Sequence, residues 1–268
     1  MLTLQQKLHG KFYAAQVFAE FIRYFSNWRE IWSAYKSGTA LPELRLRSGL
    51  ILIHAQDDVV LTIFREIFEE HSYTGDGFYR PKTTDVVLDI GANIGIFAVY
   101  LQSLARGINV HCFEPGSSAR SRLQQNLSSN NLASSVFVYP FAVSDKNGVA
   151  HLGRHVHSVQ RALVYEDETG HEADEVESIT LARAIALSGA SRIDLLKIDI
   201  EGGETEVILG SSPDLWKRVE RVALEYHGSL RPGCREELTA ALRDRGLGNI
   251  RCIPMRNDAT QGILRASR

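Results

Sequence analysis

The segment Val86-Val87-Leu88-Asp89-Ile90-Gly91-Ala92-Asn93-Ile94-Gly95 constrains the fold more than any other stretch of this chain. An apolar run carries an acidic residue near its end, passes into small residues and continues as an amphipathic stretch. That is the pattern of a buried strand turning tightly into a helix, where a ligand can approach the backbone and the helix N-terminus. The Gly-x-x-x-Gly spacing alone also fits a plain tight turn. Its place at the head of a longer alternation gives it weight. From residue 86 onward, short β-branched runs alternate with helix-period segments, which implies a parallel sheet covered on both faces. Strands are expected over 86–90, 109–114, 136–143, 193–200 and 221–226, and helices over 95–105, 118–130, 181–188, 205–219 and 234–245. The runs 250–254 and 262–266 flank a polar stretch and read as a terminal antiparallel hairpin, unlike a pure dinucleotide-binding domain.

Before this alternation, apolar residues recur at helical spacing over 8–35 (Phe18, Phe21, Ile22, Phe25, Trp28, Ile31, Trp32, Tyr35), predicting one or two amphipathic helices. Their aromatic content suits packing against the main domain or a second copy of the chain, with a cap over the substrate as the functional alternative. A short hairpin is expected over 43–54, then a helix over 59–70 capped by Asp57 or Asp58, then a loop over 72–81. The expected division is an N-terminal region of helices, hairpin and cap over 1–80 and a main domain over 81–268, with a His-rich insertion at 150–177.

The 268 residues carry 30 Lys and Arg against 32 Asp and Glu, a formal charge of −2, so no global basic field draws in nucleic acid or an anionic membrane. Three cysteines, Cys112, Cys234 and Cys252, lie far apart without metal-ligand spacing and suit a reducing compartment. The N-terminus lacks the pattern of a signal peptide, and charged residues interrupt its apolar segment, so the expected setting is cytoplasmic with no membrane span.

The second strand ends in Phe113-Glu114-Pro115, where nucleotide-binding folds place a carboxylate for the ribose hydroxyls. Glu114 would repel a 2′-phosphate, which leaves NAD or S-adenosylmethionine. A dinucleotide needs Gly-x-Gly-x-x-Gly so that its pyrophosphate can sit on the helix N-terminus, whereas here Asp89 precedes Gly91 and Asn93 stands between the glycines. A carboxylate at the strand end suits the ammonium and sulfonium of S-adenosylmethionine better than a pyrophosphate.

These residues resemble the FkbM-type S-adenosylmethionine-dependent methyltransferases. The resemblance is carried by 87–95, Phe113-Glu114-Pro115, Ala142-Val143-Ser144 and Leu196-Lys197-Ile198-Asp199-Ile200-Glu201-Gly202, and extends through Glu204, Leu209-Gly210 and Glu225-Tyr226-His227. It implies an α/β, Rossmann-like seven-stranded methyltransferase sheet with helices on both faces, and methyl transfer to a hydroxyl oxygen of a sugar or natural product. By the same resemblance Gly91, Asn93 and Gly95 would hold the methionine part of the donor, Glu114 with Pro115 the ribose, and Ala142, Val143 and Ser144 the adenine edge. The chain departs from the family pattern at Leu181-Ala182-Arg183, where an acidic residue usually follows the Leu, which leaves the start of that helix less well defined.

Ligands of open parallel sheets bind at the carboxyl ends of the strands, which places Asp199 and Glu201 in the crevice; Asp199 is counted with the cofactor-binding residues as well. Glu204 reads as favourable charge at a helix N-terminus. Methylating a hydroxyl requires removal of its proton, and His227 is the expected general base, with Glu225 beside it to orient the ring. Tyr73, within the loop that shapes the pocket, and His155 and His157 of the insertion are candidates for substrate contact. No complete metal-ligand set is read. Asp199 is a single carboxylate that would assist Mg²⁺ on an acceptor diol, too little for a site by itself. The expected partner is a small hydroxylated molecule, with a homodimer through the N-terminal helices. A nicotinamide oxidoreductase and a non-catalytic ligand-binding protein are the alternatives.

Overall fold

The computed structural model describes residues 4–55, 59–153, 163–164, 173–255 and 258–268. The chain forms two compact units, Met1–Gln56 and Asp57–Arg268, so the segment 60–81 belongs with the sheet that follows it.

In the first unit, α1 (Leu4–Tyr24) and α2 (Trp28–Ser37) are separated at Asn27. The Asn27 side chain donates to the Glu43 carbonyl at 2.8 Å and accepts from the Arg45 amide at 3.1 Å, so it fixes the helix break to the hairpin β1 (Leu44–Arg45) and β2 (Ile51–Leu52). Phe21, Phe25, Ile31, Leu44 and Leu52 are fully buried, and the Phe21 and Tyr35 rings meet edge-on. Gly38 ends α2 in the left-handed conformation that favours glycine.

The second unit opens with α3 (Val60–Phe64), which widens into a π-helical turn over Arg65–Glu69. Val59 occupies its N-cap position, and Asp57 and Asp58 lie outside the described residues. The main-sheet strands are β3 (Val86–Ile90), β4 (Asn109–Phe113) and β5 (Val136–Tyr139). A smaller sheet holds β6 (Ala142–Ser144), β7 (Gly148–Gly153), β8 (Leu163–Val164) and β9 (Ala173–Thr180). The main sheet is completed by β10 (Leu195–Ile198), β11 (Arg221–His227), β12 (Asn249–Pro254) and β13 (Gln261–Ser267). The seven-stranded order is β12-β13-β11-β10-β3-β4-β5, with β10, β3, β4, β5 and β11 parallel and β13 antiparallel to both neighbours. Helices α4 (Ile96–Leu104), α5 (Ser117–Ser129), α6 (Leu181–Ser188), α7 (Glu204–Leu209) and α8 (Cys234–Asp244) cross between strands. The seven-stranded α/β sheet with a terminal hairpin is the one expected.

Two expected elements divide. The strand expected over 136–143 stops at Tyr139 because Pro140 cannot donate to the ladder, and the chain resumes as β6 in the second sheet, order β6-β9-β7-β8. The helix expected over 205–219 ends at Leu209. Ser212 is extended (ψ 144°) ahead of Pro213, as residues preceding proline prefer, and a 3₁₀ turn follows over Pro213–Arg218. That turn buries Trp216 completely, in the hydrophobic cluster that also holds Leu88, Leu196 and Val222. The departure at Ala182-Arg183 leaves α6 intact, because Thr180 caps it by accepting from the Arg183 amide.

The loop after α3 is held by one buried guanidinium. Arg265 of β13, 3% exposed, donates to the carbonyls of His71, Ser72 and Gly75. Three main-chain acceptors on one fork fix the turn that carries Tyr73 toward the sheet.

Candidate active site

A cavity of about 380 Å³ opens at the carboxyl ends of β3, β4, β10 and β11. One wall is the β3–α4 turn. The Gly91 and Ala92 amides both donate to the Phe113 carbonyl, which folds the turn back over β4. Gly91 has φ +77°, and a Cβ there would stand 1.8 Å from the carbonyl oxygen of Asp199. Glycine is therefore required at 91 because the turn lies directly on the end of β10, in addition to any room it leaves for a ligand. Gly95, at φ +81°, faces Leu123 of α5, where a Cβ would be 2.9 Å from the side chain, and it is not part of the cavity wall.

Glu114 lines the cavity at the end of β4, 9% exposed. Its two carboxylate oxygens accept from the Asn93 and Gly116 amides, each at 2.8 Å, so the carboxylate is locked in place with lone pairs to spare. Burial raises its pKa, against the pull of these two amide bonds. Asn93, Pro115, Ala142 and Val143 share this wall. Ser144 does not. Its hydroxyl pairs with Ser178 at 2.6 Å and bonds the Lys146 carbonyl, ties that hold the second sheet together.

Asp89 is placed differently from the sequence expectation. It is fully buried behind the wall, and its Oδ1 lies 3.0 Å from the ammonium of Lys197, directly across the β3–β10 register. Lys197, 3% exposed, also donates to the Gly91 carbonyl at 3.1 Å and lies 3.4 Å from Asp199 Oδ2. Burial works against its charge, but Asp89 and Asp199 outweigh that and keep it firmly an ammonium. The charge of Asp89 is thus directed at Lys197 rather than at the cavity.

Acidic groups gather at the opposite end of the cavity. Asp199, at the end of β10, receives the Tyr73 hydroxyl on Oδ2 at 3.1 Å. Burial would raise its pKa, yet Lys197, His227 and Tyr73 together hold it below the ordinary range. Glu201, in the left-handed region at φ +56°, turns its Oε2 to within 3.3 Å of His227 Nε2. His227, 4% exposed, places Nδ1 3.2 Å from Glu204 Oε1 and Nε2 3.6 Å from Glu225. Burial opposes its charge, but bonds to Glu201 and Glu204 and the neighbouring carboxylates carry the imidazolium up to about 11.

With both ring nitrogens already directed at carboxylates, His227 stands as a cation that organises Glu201. This differs from the free base that its position at the strand end suggests. Glu225 is pushed up to about 10 by burial and by the charges of Asp199 and Glu66.

Among the sequence candidates, Tyr73, Gly91, Asn93, Glu114, Pro115, Ala142, Val143, Asp199, Glu201, Glu225 and His227 border this one cavity. His155 and His157 lie outside the described residues. Three participants went unrecognised in the sequence. Lys197 reads as an interruption in an apolar strand, and only its register with Asp89 reveals its role. Glu204 reads as helix-terminal charge, whereas its carboxylate is 2% exposed, accepts from the Ile200 and Gly202 amides and faces His227. Glu66 lies on the π-helical turn and borders the cavity, its carboxyl lifted to about 7 by burial and by Asp199. Nothing in its local sequence separates it from the other acids of that helix.

Residues 89–246 match the family model described as Methyltransferase FkbM domain. The 31-O-demethyl-FK506 methyltransferase FkbM of Streptomyces tacrolimicus is 30% identical over 234 residues, covering 76% of this chain and 87% of that protein. Methyltransferase sdnD of Sordaria araneosa is 26% identical over 213 residues, covering 69% of this chain and 80% of its own. Among solved structures, the fold resembles methyltransferase FkbM from Methylobacillus flagellatus KT with a TM-score of 0.54 at 19% identity, over 72% of this chain and 46% of that one. Among the described residues no helix is long and apolar enough to cross a membrane. The match spans the glycine turn, Glu114 and the acidic end of the cavity alike, and the chain belongs to the FkbM methyltransferase family.

Proposed function

We propose that the protein is an S-adenosylmethionine-dependent O-methyltransferase that acts on a hydroxyl of a small molecule of the sugar or natural-product class. The observation that carries this reading is a single cavity with two chemically different ends: a locked carboxylate beside a glycine turn at one, and Asp199, Glu201, Glu225 and His227 at the other. A relative named 31-O-demethyl-FK506 methyltransferase supports an oxygen acceptor.

The residues present fit the donor. Glu114 keeps free lone pairs for two ribose hydroxyls, Gly91 and Asn93 bring backbone to the cavity wall, and Ala142 and Val143 supply an apolar edge. When bound, S-adenosylmethionine supplies an electrophilic methyl group on a sulfonium. Asp199, fixed on its Oδ2 by Tyr73 and Lys197, positions the acceptor hydroxyl, and the Glu201 carboxylate takes its proton as the oxygen attacks. His227 holds Glu201 in place, and Phe97 and Tyr73, whose rings meet 5.4 Å apart, form an aromatic wall beside Lys197. In the N-terminal unit, the exposed Ile22 and Tyr35 side chains are our candidates for a contact between two copies, which light scattering of the full chain tests.

The deciding experiment uses S-adenosylmethionine labelled with ¹³C at its methyl group, a panel of hydroxylated and amino acceptors, and NMR of the products. An O-methyl resonance from a hydroxyl acceptor is expected. Calorimetry showing no S-adenosylhomocysteine binding, or label appearing only on nitrogen or carbon, would overturn the reading.

A further inference from the structure

Asp199 and Glu225 directly follow Ile198 and Leu224, the last paired residues of the parallel strands β10 and β11, so their carboxyl groups stand side by side at the cavity wall. Neighbouring strands run about 4.8 Å apart, close enough for two such groups to meet. The Asp199 and Glu225 side chains do meet, and they share a hydrogen bond. An ionised carboxylate only accepts, so two carboxyl groups can bond to each other only when one of them holds a proton.

The neighbouring cations decide which one holds it. Lys197 and His227 are the cationic side chains of the described cavity wall. The Lys197 ammonium lies 3.0 Å from Asp89 and 3.4 Å from Asp199, and the His227 ring lies 3.2 Å from Glu204 and 3.3 Å from Glu201. Glu225, 8% exposed, stands farther from that ring, at 3.6 Å. Asp199 also receives the Tyr73 hydroxyl at 3.1 Å. The charge of Asp199 is therefore supported by an ammonium and a hydroxyl, whereas a charge on Glu225 would confront Asp199, with Glu66 and Glu201 nearby. Where two carboxyl groups share one buried site, the less supported one keeps its proton. The rise of the Glu225 carboxyl to about 10 agrees with that assignment.

We propose that Glu225 is a neutral carboxylic acid whose O–H donates to the Asp199 carboxylate, which makes it a positioning residue. Together with Tyr73 and Lys197 it holds Asp199 as a fixed, weakly basic anion that aligns the acceptor hydroxyl. At Glu201, burial outweighs the His227 bond and raises the pKa, so that carboxylate is the better proton acceptor. The place of the proton on Glu225 is independent of the function proposed above; its use in turnover rests on that function.

The test is infrared spectroscopy of the full-length protein at about pH 7, well above the ordinary Glu pKa, with the spectrum of Glu225→Gln subtracted from that of the wild type. The difference should contain the carbonyl band of a carboxylic acid, moving to lower frequency in D₂O. Should Glu225→Gln fail to fold, Glu225→Met gives the same subtraction. Carboxylate bands in place of the acid band would overturn the proposal. On a hydroxylated acceptor, Glu225→Gln, which keeps an N–H donor for Asp199, should turn over at least about tenfold faster than Glu225→Met, the rate equivalent of about one hydrogen bond. Equal losses in the two variants would overturn the positioning role. The acid band without S-adenosylhomocysteine binding would uphold the proton assignment and overturn the methyl-donor reading instead.

Discussion

Replacing Lys197 with Met keeps the apolar stem and removes the ammonium, which makes it a direct probe of the pair at the centre of the sheet. Asp89, fully buried, would then lose the cation 3.0 Å from its Oδ1. Its cheapest escape is to take up a proton, and from an unfolded-state pKa of about 3.9 this costs about 4 kcal/mol at pH 7 but only about 1.5 kcal/mol at pH 5. The sign follows from linkage. An orphaned Asp89 has a raised pKa in the folded state, so the folded state holds the extra proton, and the penalty grows as pH rises above the unfolded value. The size agrees with the roughly 3–5 kcal/mol lost when one partner of a buried ion pair is removed. Urea unfolding followed by circular dichroism at both pH values should show the larger loss at pH 7. Adding Asp89→Asn to Lys197→Met should recover most of it. A loss below about 1 kcal/mol at pH 7, equal losses at both pH values, or no recovery in the double variant would refute the reasoning.

Glu114→Ala removes the proposed ribose acceptor and frees the Asn93 and Gly116 amides; S-adenosylhomocysteine affinity measured by calorimetry should fall by about 1.5–3 kcal/mol, and unchanged affinity would refute the assignment. Asp199→Asn should lower turnover on the true acceptor about 10²–10⁴-fold with donor affinity nearly intact, which steady-state kinetics beside calorimetry would check. Burial lowers the His111 pKa to about 4 from 6.5, so its contribution to stability is present above 6.5 and is lost as pH falls toward 4. Linkage puts that loss at about 2 kcal/mol between about pH 7.5 and pH 5, and His111→Phe should flatten this part of the urea-midpoint profile.

The alternation of apolar runs and amphipathic segments discloses the parallel strands because burial on both faces leaves no room for polar side chains. It misses the passage from β5 to β6, since Phe141, Ala142 and Val143 continue the apolar run across Pro140 and only the missing amide hydrogen ends the pairing. In the site, Glu114, Asp199 and His227 are legible because each ends a strand. Lys197, Glu66 and Glu204 are not, because their partners come from other elements: Asp89 across a strand register, Asp199 across the cavity, His227 from β11. Local pattern reports which face a residue occupies; the group it meets there depends on packing.

The contact of Gly91 with the Asp199 carbonyl joins what would otherwise be two separately adjustable loops. Any side chain at 91 drives the β3–α4 turn away from β10, and the same displacement carries Asp199 with it. A lineage of such chains can therefore change its acceptor through Tyr73, Glu201 or the second sheet, but it cannot re-aim the turn without misaligning the carboxylate that rests against it. Variation that survives selection should be concentrated around the cavity mouth and should leave this junction untouched.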